Sequence, residues 1–531
     1  MRLKLLIVAA VSAFAVGQPL AVAGDDNPQP VNFTNVMNAP APVTDAVFGT
    51  APAVKTGTAI CTTATSSASN VNTDCTEQAV GPHNETSIAV NPTNPLNMIG
   101  GVNDYQLALN SGGQVSETIL SRAHVTFDGG KTWSMFPVFS NSTYQATGDP
   151  ALAFDAAGHA YYGTLGFRFV GPDVQNPDIL VSNSGDGGKT WDVVRVESGS
   201  GVATSVGDLL DKDYVAAWGD GNAIVTYGDF KLGEKGSFIS ARIHAAVTHD
   251  GGQTWSTPAV ISGSLDQAFV ATPVVAANGR VFVSFLNTTD LKTGRDDYEV
   301  VEVDPVTGQA LGAPVKVATT IDGLTDFPIA FGRQTYQDSV FRTWAAGNIA
   351  ADRTNARHLA VVWSDMRNST LPAPSDPYKA KTNSDVIVSQ SFDRGRTWSS
   401  PVALALAGDQ FMPWGAYDTS GKLRIGFFDR SVDPANHKYG YTLATEAAAG
   451  SLNFTRAVIS TVDSDPTTGD RWFARNVNPA FPHATAFLGD YSNIAATADG
   501  GVVAYWTDMR NDATFAGITR KGEDAFFAKA G

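Results

Sequence analysis

A chain of 531 residues with 51 glycines and 27 prolines is longer than one ordinary hydrophobic core serves, so several domains or a repeat architecture is expected. A formal charge of −16, spread without a basic patch, argues against nucleic acid and anionic membrane surfaces as partners. The strand-like segments are short and separated by turn residues, which points to an all-β protein.

The first residues, "MRLKLLIVAAVSAFAVGQPLAVAG", combine a basic start, an apolar run and a small-residue "AVA", the pattern of a secretory signal over residues 1–23. No Cys follows the expected cleavage site, and no later apolar run is long enough to span a membrane. A secreted or periplasmic protein without membrane insertion is expected. Residues 24–80 are rich in Pro, Ala, Thr and Asn and read as a linker or N-terminal arm, leaving 81–531 as the main domain. The two cysteines, Cys61 and Cys75, are expected to close a short polar loop as a disulfide in an oxidising compartment.

From there a two-strand unit recurs, in "TSIAVNPTNPLNMIGGVND", "PALAFDAAGHAYYGTL", "DYVAAWGDGNAIVTYGDF", "TPVVAANGRVFVSFLNTTD", "HLAVVWSDMRN" with its preceding strand, "MPWGAYDTSGKLRIGFFDR" and "YSNIAATADGGVVAYWTDMRN". Alternation in "RVFVSF" and "GVVAYW" is what half-buried strands require. A third strand follows each pair. After it, in four units, stands an acidic turn with a tryptophan: "VTFDGGKTWS", "NSGDGGKTWD", "VTHDGGQTWS" and "QSFDRGRTWS". The turn aspartates Asp128, Asp186 and Asp250 are spaced by 58 and 64 residues, and Asp393 follows after 143, room for two more units.

Four antiparallel strands repeated at this spacing predict a β-propeller of four-stranded blades, with seven units implying seven blades. The last unit lacks an obvious fourth strand, so an N-terminal segment is expected to supply it. In each acidic turn the Asp carboxylate accepts turn amides, and Trp133, Trp191, Trp255 and Trp398 wedge beside it. A turn is needed once per blade and a catalytic group only once, so these aspartates are structural.

The pattern (Ser/Thr)-x-Asp-x-Gly-x-Thr-Trp resembles the Asp box of the sialidase superfamily, also called BNR-repeat proteins, and the resemblance runs from about Asn84 to the end. It implies a funnel-shaped glycan site on the propeller axis, on the face opposite the Asp boxes, and it offers six blades as the alternative count. Strand topology puts Glu85, Asp149, Asp213, Tyr214, Asp490 and Tyr491 on that face at the starts of first strands, as candidate catalytic groups. At the ends of second strands, Asp104 and Asp229 stand with Asp365, Arg367, Asp429, Arg430, Asp508 and Arg510. The three arginines are read as converging on a sugar carboxylate, which a guanidinium fork suits, the alternative being Asp–Arg pairs that brace loops.

The chain departs from the family in lacking an Arg-Ile-Pro-like motif ahead of the first Asp box, and Glu85 is the one glutamate placed on the rim. A glycoside hydrolase-like enzyme, an exo-glycosidase of sialidase type, is the leading reading. The alternatives are a carbohydrate- or protein-binding propeller without catalysis and a polysaccharide lyase with a Tyr or His base. The histidines lack paired metal-ligand spacing, and there is no phosphate loop or nucleophile elbow, so no metal or cofactor is expected. Calcium is the one ion that "DLLDKD" or "VDSDPTTGD" could bind, though neither matches a defined loop. A monomer acting on a glycan or glycoconjugate is the expected working form.

Overall fold

The computed structural model describes residues 57–75 and 81–530, apart from 110–114, 140–142, 171–172, 203–204, 291–292, 331–332, 340, 370–375, 469–486 and 516–517. The expected signal, residues 1–23, and the arm up to residue 56 lie outside the described residues.

Among the described residues, seven antiparallel sheets of four or five strands follow one another along the chain, with three two-stranded ribbons besides. Blade 1 starts with His83–Val90 and Met98–Leu109, blade 2 with Ala146–Phe154 and Ala160–Phe167, and blade 3 with Gly207–Trp218 and Asn222–Leu232. Blade 4 starts with Ala268–Val275 and Val281–Asp290, blade 5 with Asn348–Ala351 and Leu359–Asp365, blade 6 with Gln410–Tyr417 and Leu423–Asp429, and blade 7 with Asn493–Ala496 and Val502–Asp508. The first strands of successive blades are neighbours, and that of blade 7 packs against that of blade 1, so the ring is closed. The protein is a seven-bladed propeller of four-stranded blades, and the six-bladed alternative falls away.

Closure uses the N-terminal segment, as the missing last strand requires. Val71–Asn72 pairs with Phe526 and Phe527 to complete blade 7, while Cys61–Thr62 adds a fifth strand to the outer edge of blade 1. The disulfide Cys61–Cys75 ties the two ends of this clasp together.

Alternation along the strands does more than separate core from solvent. Val281 to Leu286 of blade 4 are buried on both faces, because each blade is flanked by two others. Phe282 and Leu286 enter one inter-blade core, whereas Val281, Val283 and Phe285 enter another. In blade 5, Leu359, Val361 and Trp363 face one way and Ala360 and Val362 the other. The period of two thus sorts side chains between neighbouring interfaces.

The four aspartate turns fall between third and fourth strands. Asp128 Oδ1 accepts from the amides of Lys131 and Thr132, both at 2.9 Å, and from Thr126 Oγ1 at 2.9 Å. Gly129 and Gly130 take φ of 77° and 94°, which a side chain would strain, and Trp133 Nε1 donates to Gly130 O at 3.1 Å. Asp186, Asp250 and Asp393 repeat the acceptor pattern, and Trp191 and Trp398 repeat the bond to the turn glycine's carbonyl. Trp133 is fully buried, with Tyr505 stacked on it at 6.2 Å and Phe527 tilted against it at 5.1 Å, both from across the seam between blades 1 and 7. Trp255 packs against an inter-blade core.

Register fixes the two faces. His83 pairs with Asp104 at one end of blade 1, and Val90 with Met98 at the other, where Met98 also meets Thr126 just before the Asp128 turn. The starts of first strands therefore lie on the face opposite the aspartate turns.

Candidate functional site

Five of the innermost strands carry a bulge near their start, and at each bulge one non-glycine residue is left-handed. These are Glu85 (φ 53°), Asp149 (φ 61°), Lys212 (φ 56°), Val270 (φ 53°) and Met412 (φ 49°). The left-handed region costs an L-residue roughly 1–2 kcal/mol, so a repeat of it around one axis reflects what the bulge re-aims. In blades 1, 2 and 3 it gathers a glutamate, an aspartate and a lysine.

Lys212 is the hub. Its Nζ donates to Asp149 Oδ2 at 2.7 Å and to Asp490 Oδ2 at 2.5 Å, and lies 3.5 Å from Glu85 Oε1. Arg342, from the segment before blade 5, binds both oxygens of Asp490 through Nε and an NH2 group and lies 3.7 Å from Glu85 Oε1. Asn103 donates to Glu85 Oε2 at 2.9 Å, and its own oxygen accepts the Asp149 amide at 3.0 Å. Side-chain exposure is 3% for Lys212, 2% for Glu85 and Asp490 and 8% for Asp149.

Burial without full pairing splits the carboxyl groups. Burial, joined by the charge of Asp149, pushes Glu85 well above the ordinary carboxylate range, against the pull of Lys212. Burial also raises Asp211, to about 7, and Asp213 well beyond its usual value. For Asp490 the cations win: burial alone would raise it, but Arg342 and Lys212 bring it down to about 2. Burial works against the Lys212 ammonium, yet Asp149, Asp490 and Glu85 outweigh it and hold its proton firmly.

An aromatic wall stands beside the charges. Tyr214 stacks on Trp414 at 5.8 Å and tilts against Tyr491 at 5.7 Å, and Tyr491 OH donates to Pro150 O at 3.0 Å. Trp344 lies 5.5 Å under Lys212 Nζ and 4.9 Å under the Arg342 guanidinium. Trp344 and Trp414 are half-buried, so they carry the cluster out to accessible surface. Burial holds the phenols of Tyr214 and Tyr491 far up, un-ionised at neutral pH.

Of the residues singled out in the sequence, Glu85, Asp149 and Asp490 meet around Lys212, with Tyr214 and Tyr491 beside them. Asp213 turns towards blade 2, where any side chain at position 163 would press on its Oδ2, which explains Gly163. Lys212, Arg342, Asn103, Trp344 and Trp414 were not foreseen. Setting the strand starts in register, "NETS", "GDPA" and "DKDY", aligns Lys212 with Glu85 and Asp149; reading "DLLDKD" as a loop hid it.

The three rim arginines, read as anchors for a sugar carboxylate, are each tied into their own surroundings. Arg430 is fully buried, donating to the carbonyls of Gln337 and Asn436, to Ser339 Oγ and to Asp409. Arg367 grips Asp365, which also accepts Trp363 Nε1, and Arg510 grips Asp508, which accepts Trp506 Nε1. Arg510 reaches on to Asn70 and Thr461, tying the clasp to blade 7. Asp429 accepts from the Ser431 amide at 2.8 Å and from Thr442 Oγ1 at 2.8 Å. These groups brace loops; the "WSDMR" and "WTDMR" repeats are Trp-to-Asp-to-Arg locks.

No protein-family model matches the chain, and no curated protein matches it. Among solved structures, one of a Dyadobacter fermentans protein described as of unknown function is similar at 11% identity over 87% of this chain and 97% of that one, with a TM-score of 0.45. An α-L-arabinanase from Penicillium chrysogenum is similar at 12% identity over 87% and 98% of the two chains, TM-score 0.43. The NanB sialidase from Streptococcus pneumoniae is similar at 9% identity over 82% and 83%, TM-score 0.42.

Proposed function

We propose that the chain is an exported propeller of the sialidase superfamily that acts on a glycan at the axial cluster as a glycoside hydrolase. The observation that carries this is geometric: Glu85 and Asp149 meet around one ammonium, Lys212 Nζ lying 2.7 Å from Asp149 Oδ2 and 3.5 Å from Glu85 Oε1, with burial raising Glu85 well above the ordinary carboxylate range. Two carboxyl groups in unlike surroundings beside one site are what glycosidic cleavage uses. Glu85 is the acid that protonates the leaving oxygen. Asp149, the most exposed carboxylate bonded to Lys212, is the opposing base or nucleophile. Asp490 fixes Lys212 and Arg342, and Trp344 and Trp414 offer faces on which a sugar ring packs. The four Asp-box matches support the superfamily, and the signal-like N-terminus supports export.

The substrate is not restricted to sialosides. Arg342 is the one arginine in this axial network, so a three-arginine carboxylate clamp is not gathered there among the described residues. The un-ionised phenols of Tyr214 and Tyr491 favour a carboxylate over a tyrosine as the nucleophile. A second reading, a glycan-binding propeller without turnover, is favoured by the mutual pairing of Lys212, Arg342 and Asp490. Incubating the protein with neutral glycosides, uronans and sialosides separates the two. Hydrolysis products support the enzyme, saturable binding without products supports the binding module, and neither would refute both.

A further inference from the structure

A second cluster of ionisable groups lies at the seam where the chain closes on itself, away from the Lys212 network. Asp74 comes from the N-terminal clasp, His83 from the first strand of blade 1 and Asp524 from the start of the last strand. One donor atom from each lies within 4.8 Å of the others, and all three residues are buried. The only other such group among the described residues, Asp155, His159 and Asp220, is part exposed.

Among the described residues the fully buried His83 imidazole has long contacts only, Nδ1 lying 3.5 Å from Asp74 Oδ2 and Nε2 3.3 Å from Asp104 Oδ1, and Asp74 Oδ1 stands 3.4 Å from His124 Nδ1, none of them with hydrogen-bond geometry. Contacts of this length leave a buried imidazole and carboxylate oxygen poorly satisfied, which is costly unless something occupies the space between them. The surrounding groups orient the donors. Asp74 Oδ2 accepts the Ala525 amide at 2.6 Å, and Asp524 Oδ2 accepts Asn511 Nδ2 at 2.6 Å and Asn72 Nδ2 at 3.2 Å. His83 Nε2 faces Asp104 Oδ1 at 3.3 Å, and Asp104 is held by Gln106 at 2.6 Å and Arg122 at 3.1 Å. A carboxylate behind a histidine is the arrangement that fixes the tautomer and direction of a metal-ligating imidazole.

We propose that Asp74, His83 and Asp524 hold one divalent transition-metal ion, of the zinc or manganese type, that pins the N-terminal clasp to the last strand. Two carboxylates and one neutral imidazole offer two negative charges to a doubly charged ion, and a mixed nitrogen and oxygen donor set suits these metals better than calcium. The ion fastens the same seam that the disulfide Cys61–Cys75 and the pairing of Val71–Asn72 close. The competing arrangement is a protonated His83 between carboxylates: burial pushes the imidazole down, but Asp74 and Asp104 outweigh it and hold it up at about 9.

The test uses the untagged full chain with its disulfide intact, stripped with a chelator and titrated separately with Zn2+, Mn2+ and Ca2+. Retention of one Zn2+ or Mn2+ per chain after desalting, with a rise in melting temperature, is the expected result. Asp524→Asn should abolish both, and Asp104→Asn, which leaves the three ligands in place, should weaken binding about 10–100-fold. The wild-type titration decides even if a variant fails to fold. No retained transition ion and no thermal shift, retention of Ca2+ in preference to both, or equal retention by Asp524→Asn would overturn the proposal.

Discussion

Replacing Lys212 by methionine keeps the length of the side chain and removes its charge from a site where it is 3% exposed. Asp149 and Asp490 lose donors at 2.7 Å and 2.5 Å, and among the described residues Arg342 remains as the one cation facing Asp490 and Glu85. Removing one partner from a buried ion pair costs about 3–5 kcal/mol, because the other charge stays buried and uncompensated. That is a large share of a typical stability of roughly 5–15 kcal/mol. Urea unfolding followed by circular dichroism at neutral pH reads the loss directly. The penalty should shrink on acidification, since carboxylates freed from Lys212 can take up protons. The double variant Lys212→Met, Asp149→Asn should regain part of the stability. A loss below about 1 kcal/mol for Lys212→Met, the level of an ordinary surface change, would refute the account of this network as a tightly coupled buried cluster.

Asp211→Asn mimics a neutral acid. Burial raises Asp211 from its ordinary 3.8 to about 7, so wild-type stability from this group is full below about pH 4 and is lost as pH rises towards 7; the variant should gain on wild type at pH 8 and not at pH 4 in parallel thermal melts. Asp250→Ala removes acceptors for the Thr254 amide and for two threonine hydroxyls, and should cost about 1 kcal/mol of stability while leaving glycan binding unchanged. Arg510→Lys breaks the paired grip on Asp508 and the bond to Asn70, so it should lower the melting temperature without affecting ligand affinity; the opposite pattern would restore the rim as a carboxylate anchor. Reducing Cys61–Cys75, with a sequence separation of 14, should cost about 3 kcal/mol and expose the Val71–Asn72 strand to hydrogen exchange.

The seven blades were legible because the repeat is written in strand pairs and turn residues, which act locally. "DGGKTWS" specifies its turn through contacts among neighbours in sequence, so its structural role could be derived before any fold was known. The axial site was legible only in part. Strand direction was enough to send Glu85, Asp149 and Asp490 to one face, but which side chain at a strand start turns inward depends on the bulge. The left-handed φ of Lys212 rather than Asp213 decides it, and a lysine among acidic neighbours reads as a solvated charge. Arg342 lies outside every repeated unit, in the segment before a short first strand, so no periodicity pointed to it. At the rim, an Asp-x-Arg motif looks alike in sequence whether it faces a ligand or locks its own loop. The distinction lies in Trp363 and Trp506 donating to the same aspartates. The seam cluster joins residues 74, 83 and 524, and only ring closure brings the last to the first two.

The central claim is that the axial cluster, with Glu85 as its acid, does the work. The most direct measurement is hydrolysis of the best substrate from a glycan panel by wild type, Glu85→Gln and Asp250→Ala, each confirmed folded, across a pH series. Glu85→Gln should lose about 100-fold or more in kcat, as expected for a missing general acid, while Asp250→Ala stays near wild type. Wild-type activity should fall as pH rises through the raised Glu85 value. Full activity in Glu85→Gln, or loss in Asp250→Ala without loss of fold, would contradict the account.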